Sequence, residues 1–158
     1  MQKLGISGIL LRWVCAFLYN RKQRIKISDI VSSWLNLNGS MPQGSFLGPL
    51  TFLILINDLT ASCLMHKFVD DTTISEIIAC TKISHINDYV NEVVNWSRDN
   101  RMNINYLKTK EMIMGAAIKH CSNPLSIDNN LIQRVQVFKL LGVLIDDKLN
   151  WKCHINAV

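Results

Sequence analysis

Residues Leu64 to Ile78 (LMHKFVDDTTISEII) set two adjacent acids between two strand-forming runs. Leu64, His66 and Phe68 alternate with Met65, Lys67 and Val69, the period of two that an extended strand imposes. Beyond the acids, Thr72, Thr73, Ile74, Ile77 and Ile78 return to β-branched side chains that favour extended backbone. The stretch therefore predicts a β-hairpin whose turn presents Asp70 and Asp71. Neighbouring carboxylates repel each other, and a cation placed between them relieves the repulsion. Their oxygens are hard donors suited to magnesium, which takes one or two carboxylates together with waters and substrate phosphates. The plainer alternative is a polar turn with no ligand, because Asp is a common turn former.

The 158 residues amount to one domain, long enough to bury a core. A hydrophobic content of 49% with 18% charged residues fits a globular chain and excludes disorder as the main state. The formal charge of +5 is a mild bias toward anionic partners such as nucleic acid. Cys15, Cys63, Cys80, Cys121 and Cys153 are scattered and form no CxxC, the pattern of a reduced, intracellular chain, nuclear or cytoplasmic. A zinc site built from His120-Cys121 and Cys153-His154 would use adjacent pairs, not the two-to-four-residue spacing of structural zinc sites. No membrane association is expected. The apolar run GILLRWVCAFLY is broken by Arg12 and is too short to cross ~30 Å of hydrocarbon. A basic cluster follows it instead of a small-residue cleavage site, which argues against a signal peptide.

In chain order, Ile6, Ile9, Leu10, Trp13, Val14, Phe17 and Leu18 recur at helical spacing and predict a helix with its apolar stripe in the core. In NRKQRIKI (20–27), Arg24 and Lys26 alternate with Ile25 and Ile27, as on a half-buried strand with a basic outer face. That face either contacts phosphates or is a solvated edge whose charges oppose aggregation. A turn near Ser28 and Asp29 leads to Trp34, Leu35 and Leu37, expected to pair back as a second strand. Residues 38–50 (NGSMPQGSFLGPL) form a Gly- and Pro-rich loop that a ligand can approach closely, with Gln43 and Ser45 adding hydrogen-bonding groups. Leu50 to Ile56 is apolar nearly all round and predicts a buried helix.

Ser84 is expected to cap a helix running to about Arg101, with Ile86, Val90, Val93 and Ser97 on one face, joined by Ile83 and Tyr89. Met112 to Met114 predict a strand, residues 124–130 contain a turn, and residues 135–145 form a strand pair or a bent strand through Gly142. Asp146 and Asp147 are assigned a loop and capping role ahead of a helix near Trp151.

Together these stretches resemble the palm of a reverse transcriptase of the non-LTR (LINE-type) retrotransposon class. Met41-Pro42-Gln43-Gly44-Ser45 with Leu47-Gly48-Pro49-Leu50 resembles the family's PQGSxLGP segment, and Phe68-Val69-Asp70-Asp71 its [FY]xDD box. Asn105 with Lys108-Thr109-Lys110 resembles LNxxKTK, Phe138 to Val143 resembles the FKYLG segment, and Trp151 with His154 fits LxWxxH. The boxes occur in the family's order along nearly the whole chain.

The resemblance implies an α+β fold, a partial right-hand polymerase palm with an antiparallel sheet and helices packed on one face. It assigns residues 1–147 to the palm and 148–158 to the start of a thumb. It further implies RNA-directed DNA synthesis with two divalent ions, Mg²⁺ or Mn²⁺, acting on an RNA template, a DNA primer and dNTP. Carried over by position, Asp70 and Asp71 are the catalytic and metal-site carboxylates, Asp70 the surer ligand. Pro42, Gln43, Gly44 and Ser45 shape the pocket for template and incoming nucleotide, and Lys108 lies near the triphosphate. Leu141 and Gly142 belong to the primer grip. One departure matters: the family's upstream FxDxxKAFD box, which carries the first metal carboxylate, has no counterpart in these residues. The chain by itself is therefore expected to be inactive. The competing expectation is a non-catalytic, nucleic-acid-binding remnant of a retroelement, although a pure binder has no use for an acidic tip that repels phosphates.

Overall fold

The computed structural model describes residues 5–37, 39, 44–79, 82–115 and 123–157. The chain divides into two units, Met1–Asp58 and Leu59–Val158.

In the first unit, the expected helix forms as α1 (Gly8–Leu18), with the Ser7 hydroxyl at its N-cap. Of the predicted stripe only Val14 is buried, with Ile6, Phe17 and Leu18 half-covered and Ile9, Leu10 and Trp13 exposed. The period fixes which residues share a face. It does not supply a partner, and among the described residues no element of this unit packs extensively over that side.

Next come β1 (Lys22–Gln23), β2 (Lys26–Ile27), β3 (Ile30–Val31) and β4 (Leu35–Asn36), which form one ribbon folded back at Ser28-Asp29. The inner ladder pairs Lys26 with Val31, and the outer one pairs Lys22 with Asn36. Two residues on the first strand thus face three on the second, a one-residue bulge at Ser32-Ser33. Ser32 compensates for it: its N–H donates to the Ile25 carbonyl and its hydroxyl accepts the Ile25 N–H, both at 2.9 Å. The expected half-burial of this strand is not found, since Ile27 is 70% exposed.

The Ser45 hydroxyl accepts the Gly48 N–H at 3.1 Å and starts α2 (Leu47–Asn57). Phe46 already has helical dihedrals, so Ser45 acts as the cap. Pro49 falls in the first turn, where a missing N–H loses little. Gly48, Thr51 and Ile56 are buried while Leu50 and Leu53 are exposed, so this helix is covered on one side and not, as expected, all round.

The second unit begins with β5 (Leu64–Phe68) and β6 (Asp71–Ser75), followed by α3 (Ile86–Asp99). Ser84 stands at the α3 N-terminus as expected: its hydroxyl accepts the Ile86 N–H and donates to Glu76, whose carboxylate also accepts the His85 N–H at 2.9 Å. Short strands then follow, β7 (Lys110–Glu111), β8 (Ser126–Ile127), β9 (Asn130–Leu131) and β10 (Gln133–Arg134). The unit ends with β11 (Val137–Leu140), β12 (Val143–Asp146) and α4 (Lys152–Ile155).

The core is where α3 meets β8–β9: Val90 and Val94 from the helix pack with Leu125, Ile127 and Ile132, and Ile74 of β6 packs against this cluster. Val94 is buried here where the periodicity pointed to Val93, and Ile83 is exposed. Arg98 of α3 pairs with Asp128, one of two left-handed residues in the β8–β9 turn. Asp146 is buried and accepts the N–H groups of Lys148 and Asn150, the loop and capping role expected of it.

The strand expected at 112–114 lies instead at 110–111, in a parallel ladder with β10. Polar pairs hold this ladder: Lys110 Nζ donates to Gln133 Oε1 at 2.7 Å, and Arg134 Nε to Glu111 Oε2 at 2.9 Å. Glu111 is only 9% exposed. Replacing Arg134 by Met should cost ~2–3 kcal/mol, below the full penalty for a buried pair because Arg134 is partly solvated. The urea midpoint measures it, and adding Glu111→Gln should recover much of the loss.

The secondary structure is thus mixed, with helices and small, mostly antiparallel strand pairs. In place of the single antiparallel sheet that was expected, the described strands pair only in twos. Most are two residues long and end at tight turns, which leaves too little edge for a third strand to join. Among the described residues no helix is long and apolar enough to cross a membrane.

Candidate functional site

The expected hairpin forms as β5–β6, but its turn takes in Val69 and Asp70, and Asp71 is the first residue of β6. Phe68 pairs with Asp71 and Lys67 with Thr72, so the turn is the two residues Val69-Asp70. Val69 has φ +56° and Asp70 is not left-handed, the φ pattern of a type II′ turn, whose first central position favours glycine. A β-branched residue there is strained. The register sets Asp71 on the same face as Phe68, His66 and Thr73, while Met65, Lys67 and Ile74 share the other face. The second face is the anchored one: Ile74 packs against the core and Lys67 Nζ donates to the Leu59 carbonyl at 2.9 Å. Asp70 and Asp71 are both exposed, and among the described residues neither carboxylate takes a hydrogen bond or ion pair.

Two such carboxylates fit a hard divalent ion by donor chemistry. Among the described residues no group of three His, Cys, Asp or Glu side chains could hold a metal, so a full ligand set needs donors beyond this pair.

Val69→Gly should raise the melting temperature by ~1–3 °C, because relief of ~1–2 kcal/mol of left-handed strain outweighs glycine's entropy cost of ~0.5–1 kcal/mol. Thermal unfolding followed by circular dichroism checks it.

The other expected site residues are distributed as follows. Pro42 and Gln43 lie outside the described residues, as do His120 and Cys121. Gly44, at φ +78°, and Ser45 belong to the first unit, and Ser45 is committed to capping α2. Lys108 is exposed on a turn whose backbone is held by Asn105, which accepts the Lys108 N–H through both its side chain and its carbonyl. Leu141 and Gly142 are the two-residue turn of the β11–β12 hairpin, both left-handed, so the strand pair and not the bent strand is formed. A Cβ on Gly142 would meet nothing within 4 Å. Trp151 and His154 are in ring contact, 6.0 Å between centroids.

Some features the sequence reading missed are here too. Burial pushes the Cys63 thiol above its ordinary pKa, and the Glu92 and Glu76 carboxylates push the same way, so this thiol is a poor nucleophile. Arg24 lies over the Trp34 ring, 4.6 Å from its centroid. The ribbon turn at Ser28-Asp29 would have pointed to that pairing, had the bulge been visible in the alternation.

An acidic pair at a hairpin bend, followed by a second tight hairpin, is compatible with a polymerase palm, and comparison with known proteins defines the class. Residues 2–145 match the family described as reverse transcriptase (RNA-dependent DNA polymerase), and the chain belongs to that family. It is 25% identical over 159 residues to the RNA-directed DNA polymerase from mobile element jockey of Drosophila melanogaster, covering 92% of this chain and 17% of that protein. The jockey polymerase of Drosophila funebris is 23% identical, covering 97% of this chain and 18% of its own length. The probable RNA-directed DNA polymerase from transposon X-element of Drosophila melanogaster is also 23% identical, covering 90% and 17%. These relatives support the non-LTR class to which the motifs pointed. The chain spans about a sixth of the length of the curated relatives it matches. No solved structure gives a significant match.

Proposed function

We propose that this chain is a palm segment of an RNA-directed DNA polymerase of a non-LTR mobile element, and that Asp70 and Asp71 are its metal-site carboxylates. The observation that carries the reading is the hairpin tip: two adjacent acids, exposed and unpaired, held by a strained two-residue turn in a chain of this family. Divalent cations held there, Mg²⁺ or Mn²⁺, would activate a primer 3′-hydroxyl and offset charge on the departing pyrophosphate.

The remaining roles belong to the protein. Asp70 stands exposed in the turn, and among the described residues no cation pairs with its carboxylate. By likeness to the family, Pro42, Gln43, Gly44 and Ser45 are assigned to template and nucleotide binding. Lys108 offers an exposed ammonium to the triphosphate, where a fixed positive charge is worth most as negative charge develops. The open space above Gly142 lets a primer end approach the backbone.

The 158 residues contain no box resembling FxDxxKAFD, so the chain alone lacks a carboxylate that this chemistry needs. Purified by itself with primer–template, dNTP and Mg²⁺ or Mn²⁺, it should incorporate no nucleotide. Incorporation by the isolated chain that Asp70→Asn abolishes would overturn the claim of inactivity. Failure of a full-length polymerase carrying this segment to depend on Asp70 would overturn the assignment of the site.

A further inference from the structure

The ribbon of β1 to β4 has two unlike faces. Partners across an antiparallel ladder share a face, so Lys22 and Lys26 lie with their partners Asn36 and Val31 on one side. Arg24 lies between them. Had the inner register continued, Arg24 would face Ser33; the bulge moves the register by one and brings Trp34 opposite it instead. The Arg24–Trp34 stacking at 4.6 Å confirms that placement. Trp34 remains 57% exposed, and among the described residues none of Lys22, Arg24 and Lys26 pairs with a carboxylate. Alternate residues on a strand stand ~6.6 Å apart, so the three cations form a regular row with one aromatic ring set among them.

We propose that this face binds an extended single strand of nucleic acid. The backbone phosphates lie along Lys22, Arg24 and Lys26, and one unpaired base stacks on the open side of Trp34. A row of cations alone would attract any polyanion. The aromatic ring within the row is what selects an unpaired base, since a duplex offers none to stack. The proposal rests on the nucleic-acid reading given above, but it uses residues that belong to none of the family segments named there.

The test measures fluorescence anisotropy of labelled U12 RNA, dT12 DNA and a 12-base-pair duplex with the full chain between 50 and 200 mM salt. Both single strands should bind more tightly than the duplex. Trp34→Leu should weaken single-strand binding roughly 10- to 100-fold and leave the salt dependence unchanged. Lys22→Gln, Arg24→Gln and Lys26→Gln together should lower the slope of log affinity against log salt by about 2. All four side chains are exposed, so far-UV circular dichroism should show both variants folded, and Trp34→Leu decides alone should the triple variant unfold. Wild-type affinity in the Trp34 variant, preference for the duplex, or no binding by the wild type overturns the inference. Asp70→Asn separates the two proposals: it should leave this binding intact while it stops incorporation in a full-length polymerase.

Discussion

Replacing Asp70 by Asn in a full-length polymerase that carries this segment is expected to lower RNA-templated dNTP incorporation by ~10³-fold or more. Removing a carboxylate from a metal site forfeits several kcal/mol of transition-state stabilisation, and each 1.36 kcal/mol is a factor of ten. Asp71→Asn should cost less, because Asp71 is tied into the ladder opposite Phe68 whereas Asp70 stands at the bend. Single-turnover incorporation at saturating Mg²⁺ measures both. The isosteric amide keeps the turn, so unchanged melting temperatures would show that chemistry and not folding was lost. Equal activity of wild type and Asp70→Asn would remove the tip from the reaction.

Ile132→Ala is expected to cost ~2–4 kcal/mol of unfolding free energy, the penalty for a large buried aliphatic side chain. Ile132 is 3% exposed within the cluster that joins α3 to β8–β9, and its N–H donates to the Leu125 carbonyl at 2.9 Å. A domain has only ~5–15 kcal/mol in hand, so the variant should melt well below the wild type. Ile77→Ala is the control: at 95% exposure it should change stability by less than ~0.5 kcal/mol. Urea denaturation of both proteins checks the contrast.

The parts of the structure legible in the sequence are those where a local period met a clear stop. The acidic hairpin was readable because strict alternation ran into two turn formers, and α3 because Ile86, Val90 and Ser97 mark one helical face after Ser84. Burial was less legible. The stripe on α1 states which side is apolar, but not what covers it, and the alternation at 24–27 could not show that the strand would stay in solvent. The β7–β10 ladder escaped notice because polar side-chain pairs hold it, and apolar patterns do not register those. The strain at Val69 was hidden for a related reason: sequence suggests turn type through glycine, and here a valine occupies glycine's place. At the candidate site, composition and spacing located the hairpin and put Asp70 in its turn, but did not show the pairing of Asp71 into β6. Their role as ligands, like those of Lys108, Leu141 and Gly142, came from likeness to a family.

The five-rung pairing of β5 with β6 also makes tip chemistry a matter of parity. Were the two-residue turn kept, an extra residue between Phe68 and Asp71 would reverse every inward and outward assignment along β6. Ile74 would turn from the helix into water and Thr73 would take its seat against the valines of α3. Under the proposed role of Asp70 and Asp71, a change in turn length is therefore felt twice, once at the metal site and once in the core.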